Sequence, residues 1–85
     1  MNTPNQIIVE GTLRKGSDIL PDEKRISEMV FIEYPEYGVD SMCTTLLLSD
    51  DVTMNLLNNH IGERVLITGR LSDTAVRVQD FSCLK

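Results

Sequence analysis

The sequence predicts an all-β domain with one short helix, a small five-stranded closed barrel in which the helix falls between strands three and four. Three observations carry this reading. A β-branched run broken by a single glycine occurs twice, as Ile7-Ile8-Val9-Glu10-Gly11-Thr12-Leu13-Arg14 and as Val65-Leu66-Ile67-Thr68-Gly69-Arg70-Leu71. A glycine inside a strand weakens it and marks a sharp bend or a close backbone approach. Two bent strands flanking a short helical segment suit a closed barrel better than a flat sheet. Finally, 85 residues with 41% hydrophobic and 25% charged content make a single folded domain with a limited core.

The elements follow in order. Residues 1–6 are polar and read as a flexible N-terminus. Residues 7–14 form the first strand, with Ile7, Val9, Gly11 and Leu13 on one face and Ile8, Glu10, Thr12 and Arg14 on the other. Residues 15–24, punctuated by Gly16 and Pro21, read as a long loop, and no helix is expected anywhere within 15–34. Residues 26–34 return to a strand pattern through Met29, Val30, Phe31, Ile32 and Tyr34. The stretch 35–40 is a turn. Residues 42–48 make a third strand whose mixed pattern suggests partial burial on both faces. Ser49-Asp50-Asp51 is an N-cap cluster for a helix over 51–61, whose apolar residues are Val52, Leu56 and Leu57, with Ile61 behind. Gly62 suits the left-handed position after the helix. Strands four and five span 63–71 and 75–83, joined by a tight turn at Asp73-Thr74.

Three strands, a short helix and two strands is the layout of the five-stranded OB barrel. At the residue level the chain resembles a family. Asn5-Gln6-Ile7-Ile8-Val9-Glu10-Gly11-Thr12-Leu13 is similar to the opening strand of bacterial single-stranded DNA-binding proteins and primosomal replication proteins. His60-Ile61-Gly62-Glu63-Arg64-Val65-Leu66-Ile67-Thr68-Gly69-Arg70-Leu71 looks like their helix end and fourth strand. The resemblance implies an OB fold, single-stranded DNA binding with aromatic stacking of bases, and dimerisation of the primosomal kind.

Composition argues about partners. The net charge of −5, from 8 basic and 13 acidic residues, works against non-specific attraction to a phosphate backbone, so the placement of the few cations matters more than their number. No apolar run reaches the roughly 20 residues a membrane helix needs, and residues 1–6 lack the basic and apolar regions of a signal peptide. A cytoplasmic location without membrane association is the default. Cys43 and Cys83 fall in strands and read as reduced thiols, at least partly buried. His60 is the only histidine and a zinc site takes about four ligands, so no metal or other cofactor is expected. His60 itself suits the negative end of the helix dipole. No arrangement of nucleophile, base and paired carboxylates is present, and the chain does not read as an enzyme.

The candidate binding residues are basic and aromatic. Arg14, Arg64, Arg70 and Arg77 fall on outward positions of strands one, four and five. A two-residue turn at Asp73-Thr74 pairs Arg70 with Arg77, and like charges directly opposite repel. Either an anion such as phosphate relieves that repulsion, or Glu10 on strand one neutralises the pair. Lys15, Lys24 and Arg25 near the first loop are offset by Asp18, Asp22 and Glu23. Tyr34 and Tyr37 flank Pro35, and base stacking, a protein interface and plain packing all remain open for them. Core packing claims Phe31 or its neighbour Ile32. Ile8 and Leu66 are apolar at outward positions, as a covered outer face would require.

Two functions follow. The first is a single-stranded nucleic-acid-binding accessory factor in replication, recombination or repair, acting through Arg14, Arg70 and Arg77 with Tyr34 or Tyr37 stacking a base. The second is an interaction module or subunit of a larger complex, a homodimer through Ile8 and Leu66 among the forms it takes. An acidic mimic of nucleic acid is a third reading, without regular spacing to support it.

Overall fold

The structure is a computed structural model and describes residues 5–20, 28–35 and 41–84. The elements run β1 (Gln6–Lys15), α1 (Gly16–Ile19), β2 (Val30–Pro35), β3 (Met42–Leu48), α2 (Asp51–Asn58), β4 (Arg64–Ser72) and β5 (Ala75–Cys83). β1 is long enough to serve two partners. Its first part, from Gln6 to Thr12, pairs antiparallel with β4, and its last part, from Thr12 to Lys15, pairs antiparallel with β2. β2 pairs with β3, β4 pairs with β5, and three residues of β3 run parallel to three of β5. The order β1-β2-β3-β5-β4 returns to β1, so the sheet closes on itself.

The two glycines sit where the strands bend over a neighbour's backbone. A Cβ on Gly11 would collide with the carbonyl of Glu33 on β2, where β1 changes partners. A Cβ on Gly69 would collide with the carbonyl of Arg77 on β5, at the register shift between Thr68 and Gly69. Both glycines are buried.

Strand alternation fills the interior. Leu13, Val30, Ile32, Leu47, Val65, Ile67, Val76 and Val78 point inward, and Leu57 of α2 joins them. Asp50 caps α2 by accepting a hydrogen bond from the Thr53 N–H at 2.8 Å. The turn beyond α2 is fixed to β1: Gly62 N–H donates to the Leu13 carbonyl (2.8 Å), and Leu13 N–H donates to the Glu63 carbonyl (3.0 Å). Gly62 takes φ +91°, the left-handed position foreseen for it. Among the described residues no helix is long and apolar enough to cross a membrane.

Several expectations need correction. The segment between the first two strands contains a helical turn, α1, within the stretch expected to be free of helix. Leu20 N–H bonds back to the Gly16 carbonyl, and Gly16 N–H is held by the Met29 carbonyl at 2.9 Å. One turn of four residues is too short to carry a helical periodicity in sequence. β2 starts at Val30 rather than 26, and residues 26–27 lie outside the described residues. The N-terminal expectation fails at residues 5 and 6: Gln6 is already in β1, and the Asn5 carbonyl accepts from Leu71 N–H at 2.8 Å. Residues 1–4 lie outside the described residues, as do 36–40 of the expected turn; Pro35 belongs to β2. α2 ends at Asn58, and its inward side is Met54, Leu57 and, beyond the helix, Ile61. Val52 and Leu56 face solvent, 70% and 48% exposed, because a four-residue spacing aligned with Leu56 leads away from Leu57. Cys43 is half-buried, but Cys83 is exposed at the end of β5.

Candidate functional site

The tight turn at Asp73 and Thr74 sets the register of the β4–β5 hairpin. Ser72 faces Ala75, Leu71 faces Val76, and Arg70 faces Arg77. Asp73 takes φ +53°, a conformation that a short polar side chain tolerates in a turn. Leu71 and Val76 belong to the inner face at this end, so Arg70 and Arg77 are turned outward, and both are exposed. On the other side of β4, Gln6 lies opposite Arg70; on the other side of β5, Leu48 lies beside Arg77. Gln6, Arg70, Arg77 and Leu48 therefore form one outward row across four strands.

An open recess of about 250 Å³ lies at this place, lined by Asn5, Arg70, Leu71, Ser72 and Arg77. Its donors are the two guanidinium groups, the Asn5 amide and the Ser72 hydroxyl, which suits an anion. Among the described residues neither Arg70 nor Arg77 has an ion-pair partner. Glu10 does not neutralise them. It pairs with Arg64 through both Nε and Nη2, because the β1–β4 register sets Glu10 opposite Leu66 and leaves Gln6 opposite Arg70.

The other sequence-derived residues are dispersed. Arg14 lies eight residues beyond Gln6 on β1, roughly 26 Å along an extended strand, and its Nη1 donates to Glu33 Oε1 at 3.2 Å. It does not join the recess. Tyr34 is turned inward, packs against the core and shares a 3.0 Å hydrogen bond with the Thr45 hydroxyl. That geometry favours packing over base stacking. Tyr37 lies outside the described residues. Ile8 is 67% exposed on the outer face of β1, and Leu66 is half-buried on β4, diagonal to it.

Sequence reasoning gave core packing to Phe31 or Ile32 and no binding role to Phe31. Ile32 is fully buried, and Phe31 points the opposite way, half-buried and outside the core cluster. Registers place it in an outward row with Leu46, Ala75 and Ser72, adjacent to the row that holds Arg77 and Arg70. The alternation of residues 30–34 held this signal once the inward member was fixed.

Among the described residues, Asp50 is the one group with a displaced titration. The Thr53 backbone N–H, and secondarily its side-chain hydroxyl, hold the carboxyl below its ordinary 3.8. It is a helix cap remote in role from the recess. At the end of the sheet away from the β4–β5 turn, His60, Glu63 and Cys83 bring three potential metal ligands together. Compared with known protein families and with curated proteins, the chain matches no family model and no curated sequence.

Proposed function

We propose that this chain is an OB-fold protein that binds the sugar–phosphate backbone of single-stranded nucleic acid at the Arg70–Arg77 recess, as an accessory factor in replication, recombination or repair. The observation that carries the reading is the pair itself. Two exposed arginines stand opposite each other and share a recess without an ion-pair partner among the described residues. In OB barrels the loop between strands four and five and the outer face of strands two and three border the oligonucleotide groove. The recess adjoins the β4–β5 turn, and Phe31 and Leu46 provide an apolar outer surface on β2 and β3. The division of labour would be two phosphate contacts from Arg70 and Arg77, with Phe31 offering a ring to a base.

The test is fluorescence anisotropy with a labelled single-stranded oligonucleotide at two salt concentrations. Two phosphate contacts give a slope of about −1.4 in log affinity against log salt, or about 25-fold weaker binding per tenfold salt. Replacing Arg70 and Arg77 together with alanine removes the binding. An oligonucleotide affinity that survives this double change refutes the site.

A second reading rests on Ile8, 67% exposed on a strand face, with Leu66 beside it and Val52 and Leu56 exposed on α2. Covering such side chains contributes about 1.5–3 kcal/mol each. It makes the chain a protein-interaction module, dimeric through β1 and β4. A sedimentation mass twice that of the chain, lost in Ile8→Glu, supports that reading; a monomeric mass at high concentration rejects the dimer.

A further inference from the structure

Away from the recess, the chain brings three different donor atoms to one point. His60 Nδ1, Glu63 Oε2 and Cys83 Sγ all lie within 4.8 Å of one another, with His60 Nδ1 and Glu63 Oε2 at 3.1 Å. Backbone bonds build this convergence. His60 N–H donates to the Leu57 carbonyl and Glu63 N–H to the His60 carbonyl, both at 2.9 Å, which curls the turn so that residues 60 and 63 meet. The same turn is tied to β1 through Leu13. Cys83 arrives from the far end of the sequence, set opposite Val65 by the β4–β5 ladder and anchored by the bond from Leu84 N–H to the Arg64 carbonyl at 2.8 Å. Phe81, on the same side of β5, lies tilted against the imidazole with ring centroids 6.1 Å apart.

We propose that His60, Glu63 and Cys83 form a zinc-binding site with one coordination position left open. The donor set selects the metal class. Calcium and magnesium favour all-oxygen shells, whereas a thiolate with an imidazole suits zinc, and a carboxylate completes a known ligand type. Bond lengths of about 2.0–2.3 Å give tetrahedral edges of about 3.3–3.6 Å. Donors within 4.8 Å reach that geometry by small rotations of side chains that are exposed or half-buried. An ion pair between His60 and Glu63 accounts for two of the groups and leaves the thiol at the same point unexplained. On binding, the Cys83 thiol passes its proton to solvent and its sulfur takes one tetrahedral position, with no change of oxidation state. Water, or a ligand from outside the chain, fills the fourth. The metal would fasten the end of β5 to the turn between α2 and β4.

The site is independent of the arginine recess, and its test does not involve nucleic acid. Reduced protein is titrated with cobalt(II) as an optical stand-in for zinc, then with zinc in competition. One equivalent of cobalt is expected to give a near-ultraviolet sulfur-to-metal charge-transfer band and the visible absorption of a tetrahedral site, displaced by one equivalent of zinc. Zinc also raises the thermal midpoint by mass action. Cys83→Ser abolishes the charge-transfer band, and His60→Gln and Glu63→Gln each weaken zinc by about 100-fold, at or beyond the 10–100-fold that loss of a supporting residue costs. Circular dichroism confirms that each variant is folded. Cys43→Ser keeps the band. Absence of a one-to-one cobalt complex, or a band that survives Cys83→Ser, overturns the proposal.

Discussion

The α-carbon of Gly69 lies against the carbonyl oxygen of Arg77, so close that a methyl group there would overlap the β5 backbone and the Val76 side chain. The next residue, Arg70, is the one that faces Arg77 across the ladder. Fold and candidate site thus depend on the same local approach of two strands.

Gly69→Ala and Gly11→Ala are each expected to destabilise the protein by about 1–3 kcal/mol, the range for forcing extra atoms into a packed place. Urea denaturation midpoints measure this. Gly62→Ala meets no neighbour, so only its positive φ opposes the change, at about 1–2 kcal/mol. Gly62→Asn costs less, since asparagine accepts that conformation. Equal midpoints for wild type and both strand variants would mean that the backbones can separate without loss.

Replacing Arg70 and Arg77 together with alanine is expected to leave stability unchanged or to raise it by about 0.2–1 kcal/mol, by removing a like-charge pair. Arg64→Ala provides the contrast. It breaks an exposed contact to Glu10 and costs about 0–1 kcal/mol. Thermal and urea unfolding of the two variants read the difference in sign. A double variant that is clearly less stable would assign the pair a structural role.

Asp50 gives a prediction in pH. Its carboxyl is held below 3.8 because the Thr53 N–H bonds to its ionised form. The stabilisation is therefore complete above that pH and is lost as pH falls through the lower folded-state value. Asp50→Asn keeps an acceptor without a titrating group, so its stability should fall less steeply in acid. Asp50→Ala lowers the denaturation midpoint at neutral pH and also flattens the acid limb. Parallel acid limbs for all three proteins would separate Asp50 from this effect.

Tyr34 and Phe31 are expected to divide between fold and ligand. Tyr34→Phe loses the hydroxyl contact to Thr45, costs about 0.5–1.5 kcal/mol of stability and leaves oligonucleotide affinity unchanged. Phe31→Leu keeps an apolar side chain but removes the ring, and weakens oligonucleotide binding by about 1–3 kcal/mol. The reverse pattern in anisotropy and unfolding would return base stacking to Tyr34.

Local features were legible in sequence and distant ones were not. The β4–β5 register followed from a two-residue turn at Asp73 and Thr74, the limits of β3 from its composition, and the helix cap from Asp50. Each depends on residues a few positions apart. The partner of Glu10 depends on how β1 slides along β4, far away in sequence, and nothing local distinguishes Arg64 from Arg70 as that partner. The same limit hid the meeting of Cys83 with His60 and Glu63. Tyr34 was ambiguous for another reason: it ends a strand, where either face can be imagined, and its inward turn is fixed by Ile32 two residues earlier.

Only three residue pairs join β3 to β5, whereas β4 and β5 share a ladder along most of their length. The ring of strands is thus complete but unevenly fastened, and Arg77 is one of the three β5 residues at its weakest join. A nucleic-acid strand held by Arg70 and Arg77 on one side and by Phe31 and Leu46 on the other, as proposed above, would lie across that join and favour the shut form of the ring. Occupancy and closure would then report on each other: a ligand would slow the parting of β3 from β5, and any change that eased their parting would shorten the ligand's stay.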